Sequence, residues 1–202
     1  MKRKFSTLLI LLGIVLILGA GALLLYNQRE SDEASAHAAE VLPEISAYLG
    51  SVEPSAELPS AVIATDPSVP LPDMPVHEIG GQRYVGVLTI PSIGYEMPVL
   101  SECSLALLRL GACRFHGSTY AGNLVLCAHN YHRLYSQLAE LRAGDAVWFT
   151  DMDGLTWTYE VADLEILQPD MVEEMNDSGY ALTFFTCTYG GQSRLALRCV
   201  RP

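Results

Sequence analysis

Cys187 closes an apolar run, Ala181-Leu182-Thr183-Phe184-Phe185-Thr186-Cys187, and Arg194 opens the next one, Arg194-Leu195-Ala196-Leu197-Arg198-Cys199-Val200. Between them lie six turn residues, Thr188-Tyr189-Gly190-Gly191-Gln192-Ser193. Two strand-like runs joined in this way read as a β-hairpin. With Cys187 and Arg194 as the last and first paired residues, their Cβ atoms stand about 5 Å apart. A guanidinium beside a thiol favours the nucleophilic thiolate and can also hold an oxyanion. An ordinary buried cysteine beside a solvated arginine satisfies the same pattern. Arg198 shares a strand face with Arg194 but lies about 13 Å along it, opposite Thr183, so only Arg194 can reach the thiol.

A cysteine nucleophile needs an acid or base. Sixty residues upstream, the run Asn123-Leu124-Val125-Leu126-Cys127-Ala128 delivers His129 at its end. Apolar residues at 131, 134, 135, 138 and 141 then mark one face of a short helix, which Gly144-Asp145 ends before a strand at 146–150. His116 and His132 are the competing imidazoles, and neither closes a strand in this way.

In this arrangement the chain resembles the sortase family. The likeness rests on a Thr-x-x-Thr-Cys strand, here Thr183 to Cys187, with Arg194 opening the next strand, and on an Asn-x-x-hydrophobic-x-x-His strand, here Asn123 to His129. A Leu-x-x-Leu-x-x-Gly-Asp stretch follows from Leu138 to Asp145. Residues 86–94 resemble the family's opening hairpin, and 117–123 its turn before the histidine strand. Two positions depart from the pattern: Ala128 stands where glycine is usual, and Phe184 where leucine is usual.

The resemblance implies an eight-stranded closed β-barrel and a cysteine transpeptidase that needs no cofactor. Its catalytic residues would be Cys187 as nucleophile, His129 as proton donor to the leaving amine, and Arg194 as the group that orients the carbonyl. Its partners would be surface proteins bearing a Leu-Pro-x-Thr-Gly-like sorting signal and an amine acceptor from the cell wall. A surface cysteine peptidase, with water resolving the acyl-enzyme, would use the same pair, and a catalytically silent wall-binding barrel is the reading without chemistry. Pilus-building members commonly carry a C-terminal membrane helix and an Asp-Pro-aromatic lid. This chain ends just after its last strand and offers Asp66-Pro67-Ser68, so a subclass other than the pilus type is expected. The short stretch 168–179 also lacks the long helix of the haem-associated subclass.

The elements that position these residues follow from patterning. Short runs at 84–90, 93–100, 124–127, 146–150, 155–167, 181–187 and 194–200 read as strands, with helices near 104–110 and 131–141. Many short strands with few helices indicate a barrel or sandwich. Upstream, Lys2, Arg3 and Lys4 precede an uncharged run at 5–26, twenty-two residues, enough to cross about 30 Å of hydrocarbon. The small residues at 19–22 resemble a signal-peptide cleavage site, but the apolar run continues past them, so an uncleaved anchor is expected. The basic cluster places the N-terminus in the cytoplasm and the rest outside.

Residues 27–80 hold seven prolines and ten acidic residues against one basic residue, the composition of an extended, solvated stalk. Only its alanine-rich part, 34–40, suggests helix. The expected organisation is therefore 1–26 anchor, 27–80 extracytoplasmic stalk and 81–202 catalytic domain. The net charge of −11, with no basic stripe, argues against nucleic-acid binding. The tetrapeptides at 58–61 and 71–74 only superficially resemble sorting signals. Of the five cysteines, Cys187 must stay free to react, Cys103 and Cys113 could close a loop, and Cys113, Cys127 and Cys199 also read as small core residues. His129 and His132 fall in no zinc-motif register, and no metal site is expected.

Overall fold

The computed structural model describes residues 2–52, 71–131 and 134–202, with side chains from residue 10 onward. His132, the 58–61 tetrapeptide, the Asp66-Pro67-Ser68 triplet and the middle of the expected stalk lie outside the described residues. Among those described, nine strands form one sheet: β1 (His77–Ile79), β2 (Gln82–Ile90), β3 (Tyr95–Leu100), β4 (Ala112–His116), β5 (Leu124–Ala128), β6 (Ala146–Asp151), β7 (Thr156–Leu167), β8 (Leu182–Cys187) and β9 (Arg194–Val200). Their spatial order, β2-β3-β4-β5-β8-β9-β7-β6, returns to β2 through a β2–β6 pairing. Eight strands thus close a barrel, and β1 adds a short edge to the start of β2.

Closure depends on one backbone approach. At Gly86 on β2, a side-chain carbon would collide with the Thr150 carbonyl and sit 2.6 Å from the Phe149 ring, so only glycine lets β6 pair there. Gly117 has an equivalent role before β5. Its φ of +69° is left-handed and an added carbon would strike the Asn123 carbonyl, while Asn123 Oδ1 accepts a hydrogen bond from Ser118 N at 3.1 Å. That turn sets where β5 begins.

Strand alternation then divides the barrel wall into two faces. Leu124 and Leu126 on β5, Leu182 and Phe184 on β8, and Leu195 and Leu197 on β9 fill the interior. Each large apolar side chain so buried contributes about 1.5–3 kcal/mol. The alternate positions, Val125 and Ala196, belong to a separate outer cluster with Leu167 and Met175. That cluster lies beneath helix α3 (Val172–Asn176), a helix that patterning does not announce. The other short helix is α2 (Leu134–Leu138), with 3-10 turns at Pro91–Ile93 and Leu107–Arg109.

The N-terminal helix α1 (Lys2–Ser51) differs from the expected organisation in its second half. Its apolar part is long and apolar enough to cross a membrane and exposes Ile14, Leu16, Leu18, Leu23 and Leu25. The same helix continues through residues 27–51, where only 34–40 suggested helix and the rest was expected to be extended. Ala34, Ala38, Val41 and Ile45 recur every three or four residues and are buried; Val41 and Ile45 pack among Ile79, Tyr84, Val87 and Leu100 of the barrel. Continuation from an existing helix removes the nucleation cost, alanines favour it, and packing on the barrel carries it through Pro43. His37 Nε2 meets Tyr84 Oη at 2.9 Å, and Tyr48 stacks on His77 at 3.7 Å between ring centroids.

Arg198 is the largest fully buried side chain of the barrel wall, 1% exposed. It donates to Glu165 Oε2 at 2.8 Å, Thr183 Oγ1 at 3.0 Å and the Glu174 carbonyl at 2.9 Å, and it lies over the Tyr180 ring. This side chain joins β7, β8, β9 and α3. Arg198→Ala is therefore expected to destabilise the protein by about 2–3 kcal/mol, the scale of losing hydrogen bonds to a charged group, discounted because Glu165 stays partly in solvent. Urea unfolding of the full chain in detergent, followed through the barrel tryptophans Trp148 and Trp157, measures it.

Candidate active site

β8 and β9 pair antiparallel with Cys187 opposite Arg194 and Thr183 opposite Arg198, the register expected from the hairpin. β5 and β8 pair parallel, with Cys127 opposite Phe185 and Ala128 opposite Thr186. The next step along both strands brings His129 beside Cys187. Thr186 fixes this junction, since its Oγ1 donates to the Ala128 carbonyl at 3.0 Å across the strands. Thr183, Phe185 and Cys187 share one parity on β8, which puts the thiol on the outer face and not in the core.

Three predicted site residues therefore meet. His129, Cys187 and Arg194 line one cavity of about 240 Å³, whose remaining wall is mainly apolar, with Leu105, Phe115, Met171 and Val172 prominent. His129 and Cys187 also open onto a larger cleft of about 820 Å³, bordered by Asn27, Glu30 and Asp32 of α1 and by Tyr189. Glu30 is ion-paired to Arg109 at 3.6 Å, which holds α1 against the 3-10 turn. His116 ends β4 as an exposed residue and lines neither space.

The loop between β8 and β9 is internally braced. Thr188 N donates to the Ser193 carbonyl at 3.0 Å and Thr188 Oγ1 lies 2.9 Å from Ser193 Oγ, while Gly190 and Gly191 both take left-handed φ values. Arg194 Nη1 donates to the Gly191 and Ser193 carbonyls at 3.0 and 3.1 Å, so the guanidinium rests on its own turn. Tyr189 Oη lies 2.6 Å from Ser136 Oγ, and its ring meets Tyr135 edge to face, tying this loop to α2. Asn130 Oδ1 accepts from Tyr135 N at 2.8 Å, which holds the chain as it leaves His129.

His129 is half-buried beside Tyr131, with ring centroids 5.1 Å apart. Burial lowers its pKa below the ordinary 6.5, reinforced by Arg109 and opposed by Glu30 and Cys103. The imidazole is thus neutral in the resting site at pH 7 and can accept a proton.

Sequence reasoning missed two walls of the site. The helix α3 lies in a stretch read only as a short connection, yet Met171 and Met175, four residues apart, carry the signal of one helical face. The α1 wall was hidden by the acidic composition of 27–51, although Ala34, Ala38, Val41 and Ile45 hold a helical spacing.

Comparison with known proteins bears on the fold that carries these residues. The family model described as a sortase domain matches residues 88–201. Sortase A of Bacillus anthracis is 30% identical over 112 residues, covering 52% of this chain and 53% of that protein, so the chain spans about half the length of the curated relative. Among solved structures, sortase C1 from Streptococcus suis is 27% identical with a TM-score of 0.51, covering 59% of this chain and 73% of that one. Sortase C1 from Streptococcus agalactiae is also 27% identical, with a TM-score of 0.53 and coverages of 62% and 70%. These relatives carry two class letters, A and C, and what they share with this chain is the barrel.

Because folding lowers the His129 pKa, the unfolded state binds more protons between the folded midpoint and about 6.5. The stability cost is present below the unfolded value and disappears as pH rises through it. An NMR titration of the imidazole is expected to give a midpoint below 6.5, and His129→Gln should flatten the loss of stability on acidification from pH 8 to about pH 5, by at most about 1.4 kcal/mol per pH unit.

Proposed function

The chain belongs to the sortase family, and on that premise we propose that it is a membrane-anchored cysteine transpeptidase in which Cys187, His129 and Arg194 carry the chemistry. The observation that supports this most is the strand register: β5, β8 and β9 bring a thiol, a neutral imidazole and a guanidinium onto one cavity. Beside them, the apolar wall around Met171, Val172 and Leu105 suits a short apolar peptide segment. A sorting signal of the Leu-Pro-x-Thr-Gly kind is the substrate proposed.

In this reading the Cys187 sulfur attacks the threonine carbonyl carbon while His129 takes the thiol proton. The carbonyl oxygen becomes an oxyanion, and Arg194, leaving the Gly191 and Ser193 carbonyls, donates to it. Collapse breaks the peptide bond, and His129 returns its proton to the leaving amine. The thioester then accepts an incoming amine, proposed to belong to a cell-wall precursor. Its surplus proton passes through His129 back to Cys187 as the thioester breaks, which restores the enzyme and gives ping-pong kinetics.

The anchor and its orientation are part of the same proposal. The apolar half of α1 spans the membrane with Lys2, Arg3 and Lys4 inside, so the barrel lies on the outer surface.

Cys187→Ala should abolish cleavage of a sorting peptide while leaving the folded fluorescence signal intact. Arg194→Ala should lower kcat/KM by about 10² or more, the scale of one lost oxyanion donor. Arg194→Lys should also be impaired, because an ammonium lacks the planar fork. Arg198→Ala, compared as folded protein, should change kcat/KM far less, and a larger loss there than at Arg194 would overturn the assignment. With wild-type protein, a ligated product should appear when an amine acceptor is added; the hydrolysed product alone, with or without acceptor, would replace transpeptidation with peptidase activity.

Protein recovered from membranes should begin at its native N-terminus and should lose its barrel to external protease acting between the apolar run and β1. N-terminal sequencing that finds a start near Ala22 or Leu23 would establish secretion instead.

A further inference from the structure

Three cysteines outside the proposed chemistry converge beneath the site. Cys113 and Cys127 stand directly opposite each other on β4 and β5. The connection after β3 then carries Cys103 back over them, and its Sγ lies 3.2 Å from Cys127 Sγ. Cys127 Sγ also lies 3.7 Å from the Cys113 carbonyl. All are free thiols; Cys113 and Cys127 are buried, whereas Cys103 reaches solvent. Cys103 and Cys127 also line the same cavity as His129, Cys187 and Arg194.

We propose that Cys103 and Cys127 form a peroxide-oxidisable dithiol, a redox site separate from the Cys187 nucleophile. The two sulfurs differ in the way such a pair requires. Hydrogen bonds from Cys113 and Cys127 hold the Cys103 thiol far below its ordinary range, whereas the hydrogen bond to Cys103 and burial push Cys127 up. The accessible member is thus biased toward thiolate and the buried member toward its protonated form.

The Cys103 thiolate attacks one oxygen of hydrogen peroxide, the O–O bond breaks, and hydroxide leaves with the electron pair, giving a sulfenic acid at Cys103. The Cys127 sulfur attacks the Cys103 sulfur and displaces the hydroxyl as water, which takes the Cys127 proton. Counting the proton Cys103 had already released, two thiols lose two electrons and two protons, and the peroxide becomes two waters. An external dithiol reverses the bond by exchange. Closure joins the connection bearing Leu105 and Leu108 to β5 two residues before His129, fixing one wall of the cavity.

The test uses the full chain in detergent with Cys187→Ala, so its outcome does not depend on the role assigned to Cys187. After exposure to hydrogen peroxide and alkylation, peptide mapping without reductant should show a Cys103–Cys127 cross-link. The free thiols of that variant should fall from four to two and return with dithiothreitol. Adding Cys103→Ser should abolish the cross-link, and adding Cys113→Ala should leave it, with tryptophan fluorescence confirming that each variant is folded. Alkylation of both Cys103 and Cys127 after peroxide, over-oxidation of Cys103 without a cross-link, or a bond from Cys103 to Cys113 would each overturn the proposal.

Discussion

The site depends on one parallel strand pair. Parallel neighbours run to the same rim of a sheet, so β5 and β8 both end on the rim where His129 and Cys187 emerge. The antiparallel β9 starts there, which adds Arg194. Two strand ends and one strand beginning collect three functional groups from positions 129, 187 and 194 without any long side-chain reach. A slip of one residue in either register would turn the thiol into the barrel interior, because strand side chains alternate. The interstrand hydrogen bond from Thr186 Oγ1 to the Ala128 carbonyl stands at the last paired step, where fraying would otherwise begin.

Outer-face placement also separates stability from chemistry along a single strand. Arg194 and Arg198 have the same parity on β9, yet α3 and Glu165 enclose Arg198 while Arg194 stays half-buried on its turn. One guanidinium has protein partners in β7, β8 and α3; the other, among the described residues, donates through Nη1 to backbone carbonyls of its own loop. In the proposed mechanism, exchanging a loop carbonyl for a substrate oxyanion leaves the barrel wall intact. The same exchange at Arg198 would break the contacts that join four elements.

Much of this was legible in the sequence because the relevant signals are local. The hairpin register from Cys187 to Arg194 and the histidine at a strand end follow from strand-like runs and turn residues; patterning left barrel and sandwich both open, and the resemblance to the sortase family implied the closed barrel. Less local features escaped. β4, with Arg114 and His116 among five residues, shows no clean apolar alternation: Ala112 and Cys113 are buried in succession and Phe115 and His116 are exposed. The register Cys113 to Cys127 could not be read without β4, and so the natural partner of Cys103 in the structure is Cys127 rather than the Cys113 suggested by spacing. The helical run 27–51 reads as a solvated stalk because its exposed faces carry the charge, which masks the helical spacing of Ala34, Ala38, Val41 and Ile45, and docking on Tyr84 and Leu100 shows what that stripe covers.

That helix also bears on how substrate arrives. The apolar run ends at Tyr26, and Asp32, which borders the cleft with His129 and Cys187, lies six residues further on. At 1.5 Å per residue the separation along the helix is about 9 Å, just beyond the roughly 5–8 Å depth of one headgroup layer. Because Val41 and Ile45 of the same unbroken helix are packed on the barrel, the cleft does not move away from the apolar segment as it would on a loose tether. With α1 anchored as proposed, the cleft opens at the bilayer surface. A peptide held just outside the membrane would meet the thiol there at high effective concentration, and one diffusing freely would pay the full entropy of association.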